Sequence, residues 1–263
     1  MDDIEGIERA TFAAMPPQRL EARGDWLLGL DDGTVGRSHS AVPIRHDAPA
    51  AGGVDAIARR YAAAGLAPVF RLPEVAAFEG MRDALAQRGY VRARPTLVQT
   101  GSVAAMAMPA PAGFDVELAD APGPEWEDVF LGQGFDPRDG ASRLAILRRA
   151  RDSVFASVRL DGRIAAVGSA CIAHGWCGVH GMRAAATWRR RGLAGAILSA
   201  LAQAASRRNA TRCFLQVEEG NAAARSIYER RGFATAWSYA YWQRPQPART
   251  GPGYLLDRSS TSI

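Results

Sequence analysis

No lysine occurs among the 263 residues, so all 32 basic side chains are arginine. The chain therefore lacks the lysine of a GxxxxGK[ST] phosphate loop, and nucleotide hydrolysis through that motif is excluded. Cysteine is scarce. Cys171, Cys177 and Cys213 are an odd number in a long chain, which reads as free thiols in a reducing compartment rather than a disulfide framework. Long apolar runs are missing too: the longest nearly apolar stretch, 193–205, is broken by Ser199 and Gln203 and falls short of the ~20 residues that span a bilayer. The opening MDDIEGIERA is acidic where a secretory signal is basic, so the expected location is the cytoplasm, with no membrane partner.

Hydrophobic residues make up 48% and charged residues 22%, the balance of a globular chain rather than an acidic disordered one. At roughly 150 residues per domain, the length suggests two units. The net charge of +5 is unevenly spread. Residues 1–112 carry 12 arginines against 13 acidic residues, whereas 113–263 carry 20 against 14. A positive balance confined to one half suits a polyanionic ligand, either a phosphorylated cofactor or a nucleic acid. No RNP, zinc-finger or helix-turn-helix pattern accompanies the arginines, so a nucleic-acid partner is not expected.

The uncharged stretch TGSVAAMAMPAPAG has neither helical nor strand period, and it divides the chain into a first unit 1–100, a linker 101–113 and a second unit 114–244. The Pro-, Gly- and Ser-rich residues 245–263 read as a loose tail. In the first unit, DWLLGL and TVGRSHSAV flank Asp31-Asp32-Gly33 and predict a hairpin. A helix over 54–64, a strand PVFRL, a helix ending at Gly89 and a strand YVRARPTLVQTG follow. The second unit reads as strand FDVELA, helical GPEWEDVFLGQ and SRLAILRRAR, then strands SVFASVRL, RIAAVGSACIA and WCGVHGMRA. A helix to about Ser206, the strand TRCFLQV, the helix NAAARSIYERRG and the strand ATAWSYAYWQ complete it. Both units close with a helix, a glycine, an aromatic residue and a strand, and Gly89 and Gly232 lie 143 residues apart, a weak echo that suggests two copies of one fold.

RRRGLAG, from Arg189 to Gly195, stands between a strand and a helix whose Leu193, Ile197, Leu198 and Leu201 share a face. Free amides and partial positive charge at a helix start, with Gly192 and Gly195 to allow close approach, suit a phosphate or pyrophosphate. The same spacing also describes a solvated arginine run before an ordinary helix. The run is not GxGxxG, so a dinucleotide fold gains no support. Asn221 and Tyr228 are two helical turns apart and share a face, with Asn221 suited to an N-cap; a capping asparagine and a core tyrosine fit the pattern equally.

MRAAATW followed by RRRGLA resembles motif A, RxxGxA, of the acetyl-CoA-dependent GNAT N-acetyltransferases, and NAAARSIYERRGF resembles motif B, in the family's order and with TRCFLQV between them. The resemblance covers 114–244, and the first unit only through its echo. It implies an α/β fold of mixed α+β type: two tandem acyltransferase-type domains, each a mixed twisted sheet flanked by helices, with a degenerate first copy. It further implies that the backbone of Met182, Arg183 and Ala184 binds the pantetheine arm of acetyl-CoA. The amides of Arg190, Arg191, Gly192, Leu193, Ala194 and Gly195, with the side chains of Arg189 and Arg191, would hold the pyrophosphate. Asn221 would contact the pantetheine, Tyr228 would protonate the leaving thiolate, and a backbone N–H near Met182 would face the oxyanion. Ala186 stands where the family often has proline. The first unit places Phe78 and Leu85 opposite Asn221 and Tyr228 and contains no RxxGxA, so one cofactor site per chain is expected.

Glu218, at the end of TRCFLQVE, is the preferred general base for an incoming ammonium, with His180 as the alternative; both are equally read as structural residues. Cys171, His174, Cys177 and His180 recur every three residues. A two-residue turn at His174-Gly175 pairs Ile172 with Cys177, placing Cys171 and His180 on one face and Cys177 on the other, so no metal site is expected. Cys171 has no base partner to serve as an acyl-enzyme nucleophile. The expected activity is acetyl transfer from acetyl-CoA directly to a primary amine of a small molecule or peptide. The alternative is a CoA-binding pseudoenzyme acting as a sensor, with Trp176, Trp188, Tyr239, Tyr241 and Trp242 at an interface or in the strand core.

Overall fold

A computed structural model describes residues 3–47, 53–109, 113–132 and 135–245. The first half runs α1 (Ile4–Ala14), β1 (Arg19–Arg23), β2 (Trp26–Leu30), β3 (Ala41–Pro43), α2 (Gly53–Ala62), β4 (Val69–Pro73), α3 (Glu79–Gln87), β5 (Val91–Ser102) and α4 (Val103–Met106). The second half runs β6 (Val116–Ala119), α5 (Pro124–Leu131), α6 (Pro137–Arg149), β7 (Ser153–Leu160), β8 (Arg163–Ala173), β9 (Trp176–Ala184), α7 (Leu193–Arg207), β10 (Arg212–Glu218), α8 (Ala222–Glu229) and β11 (Ala234–Gln243). The fold is mixed α/β, a large mixed sheet flanked by helices.

The sheets expected for the two halves are joined into a single 11-stranded sheet, in the order β1-β2-β3-β4-β11-β5-β10-β9-β8-β7-β6. Each half lends its last strand to the other. β5 lies antiparallel to β10, β11 lies antiparallel to β4, and the two exchanged strands pair with each other at the centre. Only β3–β4 and β9–β10 are parallel, and each of those pairs is bridged by a helix, α2 or α7. Parallel strands need such a crossover, so the placement of α7 follows from the pairing of β9 with β10.

β7 is buried along its first six residues, as expected of a strand covered on both faces. Alternation along β7 then assigns the faces. Val154, Ala156 and Val158 pack with α7 through Ile197, Leu198 and Leu201, whereas Phe155 packs with Trp126 of α5 and with Ile146 and Leu147 of α6. α1 lies on the second face, where Ile7 and Ala10 join Phe214 and Tyr239.

Three sequence expectations change. The hairpin around Asp31-Asp32-Gly33 forms as the antiparallel pair β2–β3, but those residues open a loop of residues 31–40 instead of making a tight turn, and β2 also pairs with β1 on its other side. Asp31 is buried and anchors that loop, accepting from the amides of Gln18 and Gly33 and pairing with Arg149 at 2.7 Å, so its turn chemistry leads the chain out of the sheet. The stretch read as a linker is ordered over 101–109, because Val103 and Met106 bury themselves in the core beside α7 and the Ser102 hydroxyl caps α4. α1 was not anticipated, although Asp3 caps it by accepting from the Gly6 amide at 2.9 Å. The expected tail lies outside the described residues, apart from Pro245.

Candidate functional site

The β9–β10 ladder ends early. Its last pair is Leu215 with Val179, after which β9 continues to Ala184 and β10 to Glu218 without pairing to each other. Outer neighbours hold the two strands apart: Ala184 remains paired with Ala166 of β8, and Glu218 with Thr96 of β5. β9 also carries a bulge, since Ser169 pairs with His180 but Val167 with Arg183. A bulge re-aims the backbone locally, here at Gly181-Met182 beside the gap. The gap opens a cleft of about 220 Å³.

The cleft passes through the sheet. Val179, Leu215, Val217 and Tyr228 belong to the core under α7, while the alternate residues His180 and Gln216 face α1 and its neighbours. On the α7 side the wall is Met182, Asn221, Ala224 and Tyr228; on the other it is Val35, Arg37, Arg94, Tyr239 and Tyr241. The first half of the chain thus contributes directly to this cleft.

Next to it, α7 begins without a side-chain cap, at Gly192 with φ +84°, a conformation that costs glycine little and other residues more. Arg190 is also left-handed, at φ +62°. Among the described residues, the amides of Arg190, Arg191, Gly192, Leu193 and Ala194 have no protein acceptor. The Gly195 amide does, bonding to the Gly192 carbonyl at 3.0 Å, so the amide row expected over 190–195 ends at Ala194. Gly195 itself is buried, and a Cβ there would overlap Nη2 of Arg231, so its lack of a side chain leaves room for that guanidinium. Arg189, Arg190 and Arg191 are exposed around this start, with Arg191 resting on the Trp188 ring at 4.8 Å. The residues fit a pyrophosphate: free amides and the positive end of a 15-residue helix meet there, flanked in sequence by three exposed arginines.

Asn221 caps α8, its side-chain oxygen accepting from the Ala224 amide at 3.1 Å, and it also lines the cleft. Tyr228 is 6% exposed, and burial pushes its hydroxyl well above the ordinary tyrosine range. It faces the cleft as a proton-bearing group. Glu218 is exposed at the rim beside Asn221, whose backbone amide donates to the Glu218 carbonyl at 2.9 Å. Arg183 sits where expected on β9, but its guanidinium turns to the C-terminal end of α5, donating to the Phe130 and Leu131 carbonyls at 2.5 Å each. His180 is buried with neither ring nitrogen partnered, and burial together with the nearby Arg37 charge lowers its pKa to about 3.

The β8–β9 register pairs Ile172 with Cys177 and Ala173 with Trp176, so Cys177 faces α7 and Cys171 faces away. Burial raises the Cys171 thiol to about 11 and Cys177 to about 12, which keeps both protonated near neutral pH. Trp176, Tyr239, Tyr241 and Trp242 are buried in the core rather than displayed on a surface. The residues that sequence reasoning missed are Arg37 and Arg94, together with the loop 31–40 that carries the former. No helix among the described residues is long and apolar enough to cross a membrane.

Comparison with solved structures defines the class of fold. A GCN5-related N-acetyltransferase from Kribbella flavida superposes with a TM-score of 0.70 at 20% identity, covering 94% of this chain and 97% of that one. A tandem GNAT protein from the clavulanic acid biosynthesis pathway does so with a TM-score of 0.59 at 14% identity, over 92% and 89%. The fold is that of the GNAT acetyltransferases. Among curated proteins, the uncharacterized N-acetyltransferase YobR of Bacillus subtilis (strain 168) is 26% identical over 245 residues, 92% of this chain and 98% of that protein. The family model described as "Probable histone acetyltransferase Rv0428c C-terminal" matches residues 2–242, and the chain belongs to this acetyltransferase family.

Proposed function

We propose that the protein transfers an acetyl group from acetyl-CoA directly to a primary amine of a small molecule or peptide. The observation that carries this reading is the uncapped start of α7, with its row of free amides, opening beside a cleft that passes through the sheet and is lined by Tyr228. Bound acetyl-CoA would supply an activated acetyl thioester. The amides of 190–194 and the flanking arginines hold its diphosphate, while the unpaired edge at Met182, Arg183 and Ala184, with Asn221, aligns the arm. Tyr228 keeps its proton and offers it to the departing sulfur. The backbone at the Met182 bulge is the donor for the oxyanion. Glu218 accepts the proton of the incoming ammonium. His180 is a poor rival, because a pKa of about 3 makes its ring a weak base.

The first half is read as a degenerate copy. Its helix end repeats that of the second half bond for bond: the amides of Gly89 and Tyr90 donate to Ala86 and Leu85, as those of Gly232 and Phe233 do to Glu229 and Tyr228. Leu85 thus stands where Tyr228 does, and Phe78 and Leu85 are buried in that half's core. On this reading the units divide at 100 and 114, and acetyl-CoA binds only in the second. The experiment is amine-dependent release of free CoA from acetyl-CoA. Release across an amine panel is expected; tight CoA binding without any release, equal in Tyr228→Phe, would make the protein a CoA sensor instead.

A further inference from the structure

The end of the cleft remote from α7 is built from parts that are distant in sequence. Loop 31–40 brings Arg37 there, anchored by Asp31 and by the Thr34 amide, which donates to the Ser142 hydroxyl at 3.0 Å. β5 brings Arg94 at a second bulge, where Tyr239 pairs with Thr96 but Tyr241 with Ala93. Arg94 sits at φ +47°, a conformation uncommon for a non-glycine residue, and its guanidinium lies over the Tyr241 ring at 4.2 Å. Both arginines line the same wall of the cleft. A Cβ on Gly36 would come within 2.7 Å of the Tyr241 ring and 2.8 Å of the Arg94 Nη2.

Buried or half-buried arginines of the first sheet half and of the loop anchor are matched by carboxylates: Arg60 holds Glu21, Arg71 holds Glu8 and Arg149 holds Asp31. Among the other cleft arginines, Arg143 pairs with Asp139 at 3.0 Å, and Arg183 bonds the end of α5. Arg37 and Arg94 have no carboxylate partner among the described residues, although Arg37 stands close enough to lower the pKa of His180. One carboxylate lines the cleft, Glu218, at the end of β10, where it pairs with Thr96 on the same β5 strand that carries Arg94.

We propose that the acceptor amine carries an oxyanion, a carboxylate or a phosphate, which Arg37 and Arg94 bind while Glu218 faces its ammonium. This rests on the acetyltransferase reading above. A planar guanidinium matches an oxyanion two bonds at a time, so the pair selects charge and sets the distance to the amine. A lysine-rich peptide would instead bring positive charge to an arginine-lined wall.

The test uses the full chain with matched pairs: α-amino acids against their amides, phosphoethanolamine against ethanolamine, and a polylysine peptide. CoA release is measured for the wild type, Arg37→Gln and Arg94→Gln, with CoA affinity measured separately by calorimetry. The anionic member of each productive pair is expected to be preferred, carboxylate and phosphate arms telling the two sources apart. Each variant is expected to raise the acceptor KM about 10- to 100-fold while CoA affinity holds. Equal use of neutral members, preference for the lysine peptide or an unchanged ratio in the variants would each overturn the inference. Absence of CoA binding, or CoA binding with no transfer to any amine, would instead bring down the acetyltransferase reading beneath it.

Discussion

Gly195 lies directly against Arg231, in a space that admits the guanidinium because no Cβ intervenes. Arg231 is 9% exposed, donates to the Met106 and Met108 carbonyls, and ties the turn after α8 to the first turn of α7. A Cβ there has to displace the guanidinium tip, a cost set against about 1 kcal/mol that alanine gains over glycine inside a helix. Gly195→Ala is therefore expected to be more favourable when introduced into Arg231→Ala than into the wild type. A double-mutant cycle in urea reads this directly; additive costs would mean that the two residues do not press on each other.

Tyr228→Phe removes the proton while retaining the ring. A loss of about 10²- to 10⁴-fold in kcat is expected, with CoA affinity unchanged by calorimetry. Because burial raises the Tyr228 pKa above its ordinary 10, the group stays protonated through that range and the wild-type rate shows no alkaline fall from it below pH 10.

His180 predicts a slope of stability with pH. Its folded pKa of about 3 lies below the ordinary 6.5, so between those values the unfolded chain holds a proton that the folded chain does not. Stability is then lost as pH falls from 6.5 toward 3, at up to about 1.4 kcal/mol per pH unit. Comparing thermal midpoints of wild type and His180→Gln across pH 4–7 checks it: the variant should lack this component, and parallel curves would refute the assignment.

Glu8 and Arg71 meet at 2.6 Å with side chains 1% and 0% exposed, joining α1 to β4 beneath Tyr239, whose ring lies 5.1 Å from the guanidinium. Breaking the pair leaves a buried charge unmatched. Glu8→Gln or Arg71→Met alone is expected to cost about 3–5 kcal/mol, and the double replacement Glu8→Leu with Arg71→Met far less. Chemical denaturation of the three variants distinguishes this from a pair that merely fills space, for which the costs would add.

The strands of the second half and the α7 start were legible because they rest on local signals: alternating or continuous apolar runs, a strand leading to RRRGLAG, and a capping asparagine two turns before a tyrosine. What escaped was made by distance. β5 and β11 each read as strands, but nothing in either run reveals that they exchange partners, since pairing depends on the other half of the chain. Nothing local in TVGRSHSAV or YVRARPTLVQTG sets Arg37 and Arg94 apart; only the folding of loop 31–40 across the cleft and the bulge in β5 bring them to one wall. Helix α1 had a usable signal in Asp3 followed by Ile7, Ala10 and Ala14. That Gly195 also makes room for the Arg231 guanidinium is invisible in spacing, which carries no information on a side chain so distant in sequence.

The account stands on the start of α7 as the seat of the diphosphate, and calorimetric titration of CoA against Gly192→Gln and Gly192→Glu tests it most directly. Both substitutions impose the same left-handed strain at φ +84°, and only one brings a negative charge. The account predicts that the glutamate variant binds CoA about tenfold or more weakly than the glutamine variant. Equal affinities for the two would place the coenzyme elsewhere and contradict it.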